Sequence, residues 1–254
     1  MTDIDVARRA LPLLDLTSLN DGDDEASTET LCARAQTPRG PVAAVCLWPK
    51  FVKQAKKALA ETKVRVATVV NFPTGSEPRP EVLAAVRRAI GDGADEIDLV
   101  FPYVEWLRGE KVKAATTVAA AKAICGPKIP LKVILESGHF TDMAKLMGAC
   151  AEVIDAGGDM LKTSTGKIEA GASPEAARVL LEASRKANRE IGVKISGGVR
   201  TVADARLYLS LADSIRGASW VRPETFRFGA SGLLDALLAA LGAGPVAGEP
   251  AKGY

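Results

Sequence analysis

A glycine-led junction recurs along the chain. Gly93-Ala94-Asp95 precedes Glu96-Ile97-Asp98-Leu99-Val100-Phe101, Gly157-Gly158-Asp159 precedes Met160-Leu161, and Gly217-Ala218-Ser219 precedes Trp220-Val221. A glycine that ends a helix, followed at once by an apolar strand, is what a helix-to-strand connection requires. The junctions lie 64 and then 60 residues apart, which places two strand-helix units of about 30 residues in each interval, the period of parallel βαβ repeats.

The segments between the junctions continue the alternation. Strands are predicted at Leu11 to Thr17, at Pro41 to Pro49, which is apolar enough to be buried on both faces, and at Lys63 to Asn71, rich in β-branched residues. Further strands follow at 96–101, 130–136, 160–163 and 191–196, and the eighth is either Trp220-Val221 or Thr225 to Phe228, because Arg222-Pro223-Glu224 interrupts the pattern. Helices are predicted at 28–35, 51–62, 80–90, 111–124, 142–156, 174–190, 202–210 and 231–241, preceded by a short amphipathic helix within residues 1–10. With 254 residues and no linker or composition break, the chain fits one (β/α)₈ barrel over residues 1–241 and a Gly, Ala and Pro tail over 242–254. An open doubly wound sheet is the alternative, but Asp15-Leu16-Thr17-Ser18-Leu19-Asn20 after the first strand is not the Gly-rich turn that such sheets carry.

Charge and cysteine content narrow the function. A net charge of +2 without a lysine or arginine cluster gives no nucleic-acid or membrane footprint. Cys32, Cys46, Cys125 and Cys150 lie far apart, and neither a basic-then-apolar leader nor an 18-residue apolar run is present, so a cytoplasmic protein with reduced thiols is expected. The single histidine, His139, is read as a solvated loop residue, which leaves no basis for a usual zinc site or a Ser-His-Asp triad. Any catalysis must rest on lysine and carboxylate, and no metal is expected.

Lys162 lies within Met160-Leu161-Lys162-Thr163-Ser164-Thr165-Gly166-Lys167, where an apolar strand runs into a hydroxyl-rich loop. Residues alternate sides along a strand, so outward Leu161 and Thr163 imply an inward Lys162. A buried amine loses its proton readily and, once neutral, attacks carbonyls. Asp98 and Lys194 share the inward phase, so the three must pair, and Lys194, held positive by Asp98 or Asp15, would depress Lys162 further. Asp98 is the available proton-shuttling carboxylate. A second group suits a phosphate: Gly197-Gly198-Val199-Arg200 after strand seven and Phe228-Gly229-Ala230-Ser231-Gly232 before the last helix stand where barrels of this kind cradle one.

These residues resemble the deoxyribose-phosphate aldolase family of class I aldolases, and the likeness spans essentially the whole chain. It rests on Leu14-Asp15-Leu16-Thr17 with Asn20, Ala44-Val45-Cys46, Val70-Asn71-Phe72-Pro73-Thr74-Gly75, Glu96-Ile97-Asp98-Leu99-Val100, Leu161-Lys162-Thr163-Ser164-Thr165-Gly166, Val193-Lys194 with Gly197-Gly198-Val199-Arg200, and Phe228-Gly229-Ala230-Ser231. The resemblance implies a (β/α)₈ barrel that reversibly cleaves 2-deoxy-D-ribose 5-phosphate to D-glyceraldehyde 3-phosphate and acetaldehyde. Lys162 would form the Schiff base, Lys194 lower its pKa and Asp98 relay protons. Asp15, Asn20, Thr165, Gly166, Lys167, Gly197, Gly198 and Ser231 would bind the substrate, with Tyr254 as a proton relay from the tail and no cofactor.

Two departures stand out: Gly232 replaces a serine common in relatives, and Ser196 replaces a small apolar residue. By the likeness Cys46 approaches the pocket, although a small buried core residue is an equal reading. A homodimer is compatible with the sequence, which specifies no assembly. Transaldolase-type or ketose bisphosphate Schiff-base barrels and a non-catalytic phosphosugar-binding barrel are the competing functions. The last leaves the inward Lys162 and Lys194 unexplained.

Overall fold

The computed structural model describes residues 1–244, so Tyr254 and all but the first three residues of the expected tail lie outside the described residues. Eight parallel strands close on themselves in chain order: β1 Leu14–Thr17, β2 Ala44–Leu47, β3 Arg65–Val70, β4 Glu96–Val100, β5 Leu131–Ile134, β6 Met160–Lys162, β7 Gly192–Ser196 and β8 Phe226–Ala230. Closure is made by β8 against β1, with Leu14 opposite Phe228 and Asp15 opposite Gly229. The fold is a (β/α)₈ barrel, and the open sheet is excluded.

Local chemistry sets the ends of the elements. Thr2 and Asp5 form a reciprocal cap on the helix Asp3–Ala10, which buries Val6, Ala7 and Ala10 and packs on the helix Val202–Arg216. Arg9 clasps Asp213 through two 2.8 Å bonds. Asp24 and Ser27 cap the helix Glu25–Arg34 in the same manner and start it three residues before the expected position. Leu11–Leu13, expected as strand, winds as a 3₁₀ turn with Pro12 in its first turn. A five-residue helix, Tyr103–Leu107, and a short hairpin pairing Gln36–Thr37 with Gly40–Pro41 were not expected from the sequence.

Gly93 and Gly157 take φ of +100° and +96° and open onto β4 and β6 as the junction pattern predicts. The third junction departs from it. Gly217, at φ +85°, ends its helix, but Ala218–Trp220 then forms a 3₁₀ turn, and the strand begins only at Phe226. Thr225 and Phe226 donate backbone hydrogen bonds to the Arg222 carbonyl, folding the Arg-Pro-Glu interruption into a turn. Of the two positions considered for the eighth strand, the later one is occupied.

Alternation along each strand divides the molecule into a shell and a lumen. Leu14, Leu16, Ile97, Leu161, Val193 and Phe228 belong to one continuous apolar core shared with the helices. Leu19, Cys46, Ala67 and Val69 form a separate small cluster flanked by Trp48 and Phe72. The rest of the lumen is ionic, with Asp15, Glu96, Asp98, Lys132, Lys162, Lys194 and Arg227 all buried.

Candidate active site

Three of the lumen charges converge on Asp98. Its Oδ2 accepts from Lys162 Nζ and Lys194 Nζ, each at 2.8 Å, and its Oδ1 accepts from Lys132 Nζ at 2.8 Å. Register explains the meeting: Asp98 lies opposite Lys132, and Lys162 opposite Lys194. Below them the charges continue to pair. Asp15 receives Lys194 at 2.6 Å and the guanidinium of Arg227, while Glu96 receives Lys132 at 2.5 Å and Arg227 at 3.0 Å. Arg65, half exposed, reaches Glu96 from the barrel's end at 3.3 Å.

Among the described residues, the fully buried part of this network holds four cationic side chains, Lys132, Lys162, Lys194 and Arg227, against the carboxylates of Asp15, Glu96 and Asp98. A buried unpaired charge is costly, so one proton is in excess. It leaves most easily from the lysine with the fewest counter-ions. Lys194 holds Asp15 and Asp98, and Lys132 holds Glu96 and Asp98 with Asp15 at 3.7 Å, whereas among the described residues Lys162 has Asp98 alone. Two unit charges about 4 Å apart repel by about 4 kcal/mol at an effective dielectric of 20, and Lys162 and Lys194 share a single oxygen.

The titration directions agree with this count. Burial, aided by the Lys194 charge, pushes the Lys162 amine below its ordinary value against the pull of Asp98. Burial also opposes charge on Lys194 and Lys132, but Asp15 and Asp98 hold Lys194 well above the lysine range, and Asp98 and Glu96 raise Lys132. Burial would raise Asp98, yet the surrounding ammonium groups keep it well below the carboxylate range. The lumen thus contains one amine pushed toward its neutral form and an aspartate held toward its ionised form.

The loops above β6, β7 and β8 are neighbours at the C-terminal mouth. Gly166, Gly197 and Gly198 all have positive φ, of +76°, +89° and +85°, and Ser231 is buried just before the helix Leu233–Ala240. A side chain at Gly171 would meet the Gly197 carbonyl at 2.5 Å, and the Ala172 amide donates to that carbonyl at 2.9 Å, so the β6 and β7 loops are fastened together. These backbone groups and the Thr165 region form a cradle of the kind that binds anions.

Other expected site residues have different surroundings. Asp15 lies at the base of the lumen among cations, as a counter-ion to Lys194 and Arg227. Asn20 is bound into a local network with Ser18 and Asp23, and its carbonyl receives Trp48 Nε1 at 3.0 Å. The Lys167 ammonium donates to the Leu19 carbonyl at 2.5 Å and lies 6.0 Å from the Trp48 ring centre, tying the β6 loop to the β1 loop. Cys46 is buried with its sulfur 4.0 Å from Asp98 Oδ2, which joins the pocket and core readings of that residue. His139 is exposed, as expected, and stacks on Tyr103 with ring centres 4.8 Å apart. Ser196 is buried, with its hydroxyl donating to the Ser164 carbonyl at 2.6 Å, so this departure joins β7 to the β6 loop.

Lys132, Glu96, Arg227 and Glu136 were not singled out from sequence. The first three had a usable signal. Glu96 has the strand phase of Asp98, Lys132 interrupts Leu-Lys-Val-Ile-Leu as Lys162 interrupts its own run, and Arg227 separates two buried phenylalanines.

A closed parallel barrel with a lysine–carboxylate cluster buried in its lumen and glycine-bearing loops at its C-terminal mouth has the architecture of the barrel enzymes, whose sites lie at that end. Residues 9–238 match the family described as DeoC/LacD family aldolase. The chain is 46% identical over 249 residues to the deoxyribose-phosphate aldolase of Agrobacterium fabrum, covering 98% of this chain and 95% of that one. A candidate deoxyribose-phosphate aldolase from Toxoplasma gondii superposes with a TM-score of 0.86 at 25% identity, covering 94% of this chain and 95% of that chain. A tetrameric deoxyribose phosphate aldolase from Aeropyrum pernix shares the fold, with a TM-score of 0.74 at 24% identity and coverage of 94% and 92%. The chain belongs to the DeoC/LacD aldolase family and is an aldolase.

Proposed function

We propose that this aldolase reversibly cleaves 2-deoxy-D-ribose 5-phosphate to D-glyceraldehyde 3-phosphate and acetaldehyde through an imine on Lys162. The observation that carries this reading is the lumen's one excess lysine, buried beside Lys194 with Asp98 as its sole counter-ion among the described residues. The neutral amine adds to the C1 aldehyde of the open-chain sugar, and loss of water gives an iminium that draws electrons from the C2–C3 bond. Asp98, held ionised by its ammonium neighbours, steers the C3 hydroxyl proton through a water instead of keeping it.

The C2–C3 bond then breaks, the C3 end leaves as the aldehyde of glyceraldehyde 3-phosphate, and its electron pair forms an enamine on Lys162. The water that took the C3 hydroxyl proton returns it to the enamine at C2, and hydrolysis of the resulting iminium releases acetaldehyde and restores the amine. Thr165, Gly166, Gly197, Gly198 and Ser231 are assigned to the phosphate, with Lys167 at the rim. The iminium is the electron sink, so the step calls on no metal ion or organic cofactor. The Agrobacterium relative named for the same sugar phosphate supports the choice of substrate. No helix among the described residues is long and apolar enough to cross a membrane, and we assign the enzyme to the cytoplasm.

The test is chemical trapping. Incubation with acetaldehyde followed by borohydride reduction should add a two-carbon group to Lys162 alone, with loss of activity, and Lys162→Met should show neither adduct nor turnover, a fall of about 10³ or more. Labelling spread over surface lysines, or activity retained in Lys162→Met, would end this reading.

A further inference from the structure

Glu136 stands apart from the other buried acids. Asp15, Glu96 and Asp98 are each ion-paired, whereas Glu136, 1% exposed, has no cation within ion-pairing distance among the described residues. It takes a left-handed backbone conformation, φ +51° and ψ +58°, uncommon for a residue with a long side chain. The turn directs its carboxyl to the β6 loop. One oxygen accepts from the Thr165 hydroxyl, and the Thr165 amide donates to the carboxyl at 3.2 and 3.4 Å. The same hydroxyl accepts from the Lys167 amide at 3.1 Å, so one chain of hydrogen bonds runs from Lys167 through Thr165 to Glu136.

Backbone pairing fixes the height of this carboxyl. The Leu135 amide donates to the Lys162 carbonyl at 2.9 Å, and the Ser137 amide to the Thr163 carbonyl at 2.8 Å. Glu136 therefore sits beside the strand end that carries Lys162, directly behind the loop assigned to the phosphate.

We propose that Glu136 is a positioning residue of the aldol site, fixing the Thr165 hydroxyl and through it the Lys167 amide at the phosphate cradle, and taking up a proton when that phosphate binds, which turns the Thr165 O–H toward the phosphate. The inference rests on the proposed sugar-phosphate substrate. A dianion entering the cradle meets a buried carboxylate without a counter-ion behind it, and the two negative charges coexist poorly in a region shielded from water. Protonation of Glu136 removes the conflict and keeps the bond to Thr165, the hydroxyl turning from donor to acceptor. Burial already raises the Glu136 carboxyl above its ordinary value, opposed by the Thr165 bonds and more weakly by His139 and Lys162. Tyr103, raised by burial and by the Glu136 charge, also faces it.

Two measurements test the inference. In isothermal titration of the wild-type protein with inorganic phosphate at pH 7.5, in buffers of differing ionisation enthalpy, binding should be accompanied by proton uptake, and Glu136→Gln should abolish it. In steady-state kinetics, the ratio of the wild-type KM to the Glu136→Gln KM for 2-deoxyribose 5-phosphate should rise about tenfold from pH 5.5 to pH 8.5. The phosphate's own ionisation cancels in this ratio. For unphosphorylated 2-deoxyribose the ratio should stay flat. Absence of proton uptake in the wild type, uptake unchanged in the variant, or the same pH dependence for both sugars would overturn the inference.

The wild-type titration stands even where the variant folds poorly. Acetaldehyde trapping on the same wild-type sample separates the two readings. Trapping at Lys162 without proton uptake overturns only the role of Glu136, whereas absence of trapping overturns the aldol chemistry.

Discussion

Leu161 and Lys162 are consecutive in β6, both are fully buried, and they face different environments. Leu161 enters the shell between strands and helices, where burial of an isobutyl group stabilises by about 1.5–3 kcal/mol whichever apolar neighbours it meets. Lys162 enters the lumen, where its charge state depends on which side chains surround it and on how many of them are carboxylates. The shell tolerates repacking as long as volume is conserved. The lumen is governed by an integer count of charges, and a change of one charge redistributes protons among the rest.

The largest effect that would break this contrast is expected at Lys132. It is fully buried and binds Asp98 and Glu96 at 2.8 and 2.5 Å, so Lys132→Met strips a counter-ion from two buried carboxylates at once. We expect a loss of about 3–5 kcal/mol in urea denaturation, together with a Lys162 that keeps its proton, because the excess positive charge is gone. Borohydride trapping at pH 7 should weaken accordingly. Trapping and stability at wild-type levels would show that the lumen is not ruled by charge count.

Leu161→Ala tests the other side of the same strand. Removing its side chain from the shell should cost about 2–4 kcal/mol, measured by the same denaturation, with the pH dependence of turnover unchanged. An altered pH profile in this variant would mean that shell packing sets the lysine geometry, and the separation of the two regions would fail.

How much could be read from the sequence follows the same division. The glycine junctions and apolar runs give the barrel because helix ends and strand patterns are local, and Gly93 and Gly157 adopt the positive φ that a helix-terminating glycine permits. The eighth strand was ambiguous for a local reason too, since the turn through Arg222 is set by Thr225 and Phe226 folding back on its carbonyl. In the lumen, Asp98, Lys162 and Lys194 were legible as charges of inward phase. Their partners were not. The contacts of Asp98 with Lys132, Lys162 and Lys194 span 34, 64 and 96 residues, so the pairing exists only once the barrel closes. Glu136 was the least accessible, because nothing in Leu-Glu-Ser-Gly specifies that the glutamate takes a left-handed conformation.

Lys194→Leu sharpens the comparison within the lumen. Lys194 and Lys162 bind the same oxygen, and removing the Lys194 charge lets Asp98 hold the proton on Lys162. Turnover at pH 7 should fall about 10- to 100-fold, with part of the rate returning at alkaline pH as the amine deprotonates. An unchanged profile would leave Lys194 with a positioning role only.

The smallest effect expected is the stability of Lys162→Met, and its sign depends on pH. Burial and Lys194 depress the Lys162 amine in the folded protein, so the unfolded chain binds more protons between that lowered value and the ordinary lysine value. Wild-type stability therefore gains from this site as pH rises through the window, and below it carries the full cost of a buried ammonium. Methionine is near in volume and has no proton to lose. At pH 6 we expect Lys162→Met to be more stable than wild type by about 1–2 kcal/mol, as when a buried charge is replaced by an apolar group. The two denaturation curves should converge toward pH 10. A gap that widens with pH would mean that folding raises the Lys162 amine, which would then be protonated at neutral pH and unable to attack an aldehyde.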